Sequence, residues 1–371
     1  MKSKKKAALG GAVMFLIYML VGAACGILIM RYMDASGKRS FGSYLLCFGL
    51  MLLGMYLVMY LQIILHEGGH LVCGLLSGYG FSSFRVGSLM LQKTENGLRF
   101  RRLTIAGTGG QCLMTPPELG GGTMPFVLYN LGGALMNLLT APLFLLLARL
   151  WPGTPAALLL QMGALIGLAF ALANGLPMRV NGVDNDGANI LAMKRCPEAV
   201  RAFWVQLKTN ELASRGVRLK DMPEDWFTLP EGADMGNSMV TSLAVMRENR
   251  LCDMHRLDEA DAAACQLLAE DTAVPGIYRG LLLCDRIFFM LLRGEAPAAL
   301  LTKEQKKFMK SMKSFPSVLR TEYALALHEG DPKKVESLRA AFEKMARRHP
   351  NPSDIVSERE LMALADEKIA A

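Results

Sequence analysis

His66, Glu67 and His70 stand at the spacing His-Glu-x-x-His inside the run Leu61–Gln62–Ile63–Ile64–Leu65–His66–Glu67–Gly68–Gly69–His70–Leu71–Val72–Cys73. On a helix, side chains four residues apart project from one face, one turn apart. Both imidazoles can therefore bind a single metal ion. Glu67 sits beside the first histidine, where a carboxylate can take a proton from water held at that metal. The setting sharpens this reading. From Tyr44 to Leu76 these three are the only charged or ionisable side chains, tyrosine hydroxyls and cysteine thiols apart. Ionisable groups in a segment apolar enough for lipid are costly, and the cost marks a functional site. The competing reading is a buried, hydrogen-bonded pair without metal.

The elements that must position these residues are long apolar runs. Lys2, Lys4, Lys5 and Lys6 precede a run from about Ala7 to Met30. This is too long for an ordinary signal-peptide core and reads as an uncleaved span, followed by a polar loop from Arg31 to Ser40. Tyr44–Leu76 is a second run, longer than one bilayer crossing needs. Within it Gly68 and Gly69 favour either close helix packing or room for a peptide backbone. A third run covers about Pro125 to Trp151 and contains Asn130, Gly132, Gly133 and Asn137, which suit close helix contact and amide bonds between helices. A fourth spans Ala156 to Leu176. It ends in Asn174–Gly175–Leu176–Pro177 and the turn Asn181–Gly182–Val183–Asp184–Asn185–Asp186–Gly187. A carboxylate there is either a third metal ligand or part of a capped turn.

Between the second and third runs, 84–91 and 98–103 each alternate partly, with Glu95–Asn96–Gly97 as a turn signal. They predict a β-hairpin, followed by loop at Gly107–Thr108–Gly109–Gly110. Such a hairpin either connects spans or pairs with an extended substrate strand. The lysines before the first span place the N-terminus in the cytosol. The histidines, Asp186 and the basic hairpin (Arg85, Lys93, Arg99, Arg101, Arg102) then all fall at the cytosolic face.

The whole chain has 371 residues, 52% of them hydrophobic, and a formal net charge of +8. Its mean hydropathy is +0.26. That mixture points to a membrane part joined to a water-facing part. In a membrane protein such a charge excess sets topology, and no nucleic-acid module is present. The eight cysteines form no C-x-x-C pair and read as buried, reduced thiols.

His66–Glu67–Gly68–Gly69–His70 in an apolar span, with Asn174–x–x–Pro177 and Asp186–Gly187 ending a later one, resembles the site-2 protease family of intramembrane zinc metalloproteases. Gly133–Ala134–Leu135–Met136–Asn137 resembles that family's G-P-x-x-N element, with Ala134 where proline is usual. The resemblance covers roughly residues 44–190. It implies that His66, His70 and Asp186 bind Zn2+ and that Glu67 activates water for attack on a peptide carbonyl. Asn137 and Asn174 become substrate-binding candidates. Asp184 stays a rival ligand, because extra residues separate Pro177 from Asp186–Gly187. The family's PDZ domain is absent. Expected partners are a membrane-spanning protein or peptide substrate and the lipid bilayer. The expected location is the cell membrane, multi-pass.

From Ala188 the chain turns polar and helical, with patterns at about 188–194, 197–215, 236–251, 257–270, 275–292, 303–312, 318–328, 332–348 and 353–368. Leu257–Asp258–Glu259–Ala260 and Tyr323–Ala324–Leu325–Ala326 resemble tetratricopeptide helices, without a clean repeat. The fold expectation is an all-α polytopic membrane protein of about four transmembrane helices, with a small β-hairpin insertion and a C-terminal cytosolic helical, tetratricopeptide-like domain able to bind a cytosolic partner. The divisions are 1–43 for the anchor and external loop, 44–190 for the metalloprotease core and 191–371 for the cytosolic helices. Two other classes compete. A catalytically inactive scaffold would not need Glu67, and a transporter would show an internal repeat of its spans, which is absent.

Overall fold

The computed structural model describes residues 2–35, 37, 40–94, 97–105, 108–180, 182–269 and 272–369, with side chains from Leu9 onward. Glu95, Asn96, Gly107 and Asn181, and the side chains of the N-terminal lysines, lie outside the described residues. In chain order the elements are α1 (Lys2–Ala35), α2 (Phe41–Leu76), β1 (Gly80–Val86), β2 (Leu89–Thr94), β3 (Gly97–Arg102) and β4 (Gly110–Thr115). Then come α3 (Val127–Ala148), α4 (Pro155–Gly175), β5 (Arg179–Val180), β6 (Val183–Asp184) and α5 (Asp186–Arg195). The rest is α6 (Pro197–Ser214), α7 (Ser238–Asp253), α8 (Leu257–Leu267), α9 (Gly276–Leu292), α10 (Lys303–Ser311), α11 (Pro316–His328), α12 (Pro332–Ala346) and α13 (Pro352–Ile369). These elements form two compact units: Met1–Tyr79 with Pro125–Leu191, and Gly80–Met124 with Ala192–Ala371.

The first unit is built from α1 to α4. Leu9–Ala35, α2, α3 and α4 are each long and apolar enough to cross a membrane. The first helix runs to Ala35, past the expected loop start at Arg31, because no glycine or proline lies between Arg31 and Gly37, whose φ is +81°. The Ser40 side chain accepts from the Ser43 amide at the start of α2, and Thr154 does the same for α4 with Pro155 just inside. At 36 residues α2 is about 54 Å long, well beyond the roughly 30 Å of bilayer hydrocarbon. It passes unbroken through Gly68 and Gly69. The reason is packing: a Cβ on Gly69 would collide with the Gly132 carbonyl, and one on Gly132 with the Gly69 carbonyl. Here α2 and α3 meet backbone to backbone. Cys25, Ile29, Cys47, Met51, Leu158 and Met162 pack α1, α2 and α4 together. Phe15, Leu45, Leu57, Leu139 and Leu146 point outward, as lipid-facing side chains do.

The second unit joins the small sheet to α6–α13. The sheet is antiparallel, in the order β3-β2-β1-β4. The sequence expectation of one strand over 84–91 is corrected here. The chain turns at Gly87–Ser88, so that stretch belongs to two strands. Gly87 has a φ of +58°, in the left-handed region where a side chain is strained. The Arg85 guanidinium holds the turn, donating to the Gly87 carbonyl at 2.7 Å, the Thr108 hydroxyl at 2.6 Å and the Gly110 carbonyl at 3.2 Å. The buried sheet face packs on the unit's own helices, where the Gln92 amide donates to the Pro350 carbonyl. The helices match their sequence patterns within a few residues. Thr302 and Asp331 cap two of them, and Pro197, Pro316 and Pro332 stand at the first positions of α6, α11 and α12. None of the eight cysteines is in a disulfide.

One buried charge group ties four of these helices. Arg320 on α11 pairs with Asp285 on α9 and with Glu358 on α13, and its guanidinium lies 4.4 Å above the Phe288 ring. Glu248 on α7, fully buried, accepts from the Cys252 thiol. Burial raises the carboxyl of Glu248 far above its ordinary range. Burial also pushes Glu358 up to about 7, with Asp285 and Asp354 adding to the rise and Arg320 opposing it. These carboxyls hold protons in the folded state that the unfolded chain releases near pH 4.5. The stabilisation from Glu358 is therefore complete below that pH and is lost as pH rises through about 7, and that from Glu248 is lost in the same direction. In urea unfolding followed by Trp204 and Trp226 fluorescence, the midpoint should fall between about pH 5 and pH 8. A flat or rising midpoint would contradict this account.

Candidate metal centre

His66 and His70 project from α2 into the space between α2, α3 and the start of α5. Both are buried, as is Glu67 between them. Each ring is held at Nδ1. The His70 Nδ1 lies 2.8 Å from the Tyr129 carbonyl. A carbonyl only accepts, so this nitrogen carries the proton. The His66 Nδ1 lies 2.8 Å from Asn137 Oδ1. The Asn137 amide is oriented by its own donor, which reaches the Gln62 carbonyl at 3.1 Å and Gln62 Oε1 at 2.7 Å. That leaves Oδ1 to accept from His66. Gln62 in turn donates to the Gly163 carbonyl of α4 at 2.8 Å. A relay from α4 through Gln62 and Asn137 thus sets the orientation of His66.

With both Nδ1 atoms donating, the neutral rings present Nε2 lone pairs to each other, 3.2 Å apart. Asp186 Oδ2 is 3.4 Å from each Nε2. That oxygen is buried and has no hydrogen-bond partner. Three acceptor atoms converge with no donor among them, which is an arrangement a cation completes. The spacing suits one. Ligands about 2.0–2.1 Å from a tetrahedral ion lie about 3.3–3.4 Å apart. Among the described residues, His66, His70 and Asp186 form the one group of three or more such side chains close enough to share an ion.

Asp186 arrives there because Asn185 pins the turn. Its side-chain oxygen accepts from the Met178 and Ala188 amides, and its side-chain nitrogen donates to the Ala173 and Leu176 carbonyls. Asn185 therefore caps α5 while Asp186 faces the histidines, so the capped turn and the third acceptor coexist. Asp184 is turned elsewhere, its carboxylate 3.3 Å from Arg179 within the β5–β6 hairpin. Asn174 sits in the last turn of α4 and donates to the Phe170 carbonyl at 3.0 Å. Glu67 lies within electrostatic range of His70.

Gln62, Tyr129 and Asn185 escaped the sequence reading as site residues. Gln62 had a signal: it is the one amide in the run 44–76, and an amide in an apolar span needs a partner. Tyr129 acts through its backbone, which leaves no mark on residue type. Asn137→Ala removes the acceptor that orients His66 and strands Gln62 Oε1. It is expected to weaken metal affinity about 10–100-fold, read by zinc competition titration. Unchanged affinity would refute the relay.

Comparison with protein-family models, with curated proteins and with solved structures finds no match for this chain.

Proposed function

We propose that this chain is an intramembrane zinc metalloprotease of the site-2 protease type, cutting peptide bonds of membrane-spanning substrates. The observation that carries the reading is the convergence of His66 Nε2, His70 Nε2 and Asp186 Oδ2, an acceptor triad with an adjacent buried Glu67, in a helix apolar enough to cross a membrane. Two imidazoles and one carboxylate are a donor set that fits zinc with a coordination position left open. Zinc held there would supply a Lewis acid that polarises the peptide carbonyl and lowers the pKa of a bound water to about 7.

The residues of this chain do the rest. Glu67 takes a proton from the attacking water and returns it to the leaving amine as the C–N bond breaks. Asn137 and Tyr129 keep the two rings in the tautomer that leaves Nε2 free. The burial of the site limits competing water. A substrate helix hides its carbonyls in its own hydrogen bonds, so it must unwind locally to be cut. Lysines before the first span support a topology in which the site faces the cytosol.

The test is cleavage of a fluorogenic membrane-helix peptide by purified protein in lipid discs. Cleavage should vanish on chelation and return with zinc. A scaffold without activity would leave the peptide intact under every metal condition, and that result would overturn the reading.

A further inference from the structure

The register of β2 with β3 pairs Leu91 with Phe100, Lys93 with Leu98 and Leu89 with Arg102. Paired residues share a face, so these six form one side of the sheet. The opposite side carries Met90 and Gln92 and is buried on the unit's helices. The shared face is open: Phe100 is 81% exposed, Leu98 60% and Leu89 58%. Among the described residues, Lys93 and Arg102 form no ion pair with an acidic side chain.

A second basic surface lies next to it. Lys303, Lys306, Lys307 and Lys310 fall at i, i+3, i+4 and i+7 on α10, all exposed. The other side of α10 is buried on α9, where Gln305 donates to the Gly280 carbonyl. The Ser314 hydroxyl, just past α10, donates to the Thr104 carbonyl, just past β3, at 2.7 Å. The lysine helix and the open sheet are thus neighbours on one unit.

We propose that this face docks on the headgroups of an anionic lipid bilayer, with Phe100 and Leu98 at the acyl boundary and Lys93, Arg102 and the α10 lysines on lipid phosphates. An apolar tip ringed by cations is the chemistry of an interfacial anchor. The bilayer is favoured over a dissolved partner by the covalent chain. Only Ser77, Gly78 and Tyr79 separate the candidate span α2 from β1, so at most about 14 Å of chain links them. The proposal rests on α1–α4 crossing a bilayer and is independent of the metal chemistry.

The test is hydrogen exchange of the full-length chain in lipid discs of phosphatidylcholine alone or with roughly one lipid in three phosphatidylglycerol. Exchange across 97–105 and 303–311 should slow in the anionic discs. The gain should shrink roughly fivefold for each of Lys306→Glu, Lys307→Glu and Lys310→Glu. It should also weaken at about 0.5 M salt. Exchange in α9 and α11 should stay unchanged, showing that the variants fold. Equal exchange in both discs, slowing that survives all three charge reversals, or protection that appears only with an added peptide would each overturn the proposal. A chain that fails to enter discs refutes the spans as well. Loss of zinc or of cleavage leaves this readout unchanged.

Discussion

Gly133→Ala is expected to abolish zinc binding while leaving every candidate ligand in place. A Cβ on Gly133 would lie 2.5 Å from His66 Nε2 and 2.6 Å from His70 Nε2. Carbon and nitrogen in contact need about 3.5 Å. The rings have nowhere to retreat. Asn137 and the Tyr129 carbonyl hold their Nδ1 atoms. An added methyl in so tight a place costs about 1–3 kcal/mol in packing alone. The methyl would also occupy the flank of the space where the acceptor atoms converge. Elemental analysis of the purified variant should find no zinc. Wild-type zinc content would mean that the histidines do not face Gly133 as described.

Glu67→Gln should give the opposite pattern, with full zinc and almost no cleavage. Glutamine matches glutamate in size and is not one of the three converging ligands, so His66, His70 and Asp186 remain as they are. It has no carboxylate to accept the proton of the attacking water. A positioned general base contributes about 10²–10⁴-fold, and a loss of roughly 10³-fold in kcat is expected with little change in KM. Equal losses of zinc and activity would make Glu67 a ligand instead. Retained activity would remove it from the chemistry.

Much of this site is legible in the residues themselves. His66, Glu67 and His70 declare themselves by type, spacing and an apolar setting that penalises charge. The choice between Asp184 and Asp186 is not legible, because both carboxylates occupy one turn and their directions follow from Asn185 and Arg179. The C-terminal helices are readable because prolines and capping residues mark their starts. The sheet is harder. Gly87–Ser88 hides a turn inside an alternating stretch, and β4 pairs with β1 only through long-range contact that leaves no local period. The Arg320 group is equally silent in sequence, since four helices far apart in the chain supply its members.

The most direct measurement is zinc per chain in detergent-purified wild type beside His66→Ala and Asp186→Ala. About one zinc is expected in the wild type, as for a three-ligand site, with clear loss in both variants. A wild type without zinc after metal-replete preparation, or an Asp186→Ala variant that keeps it, would contradict the account.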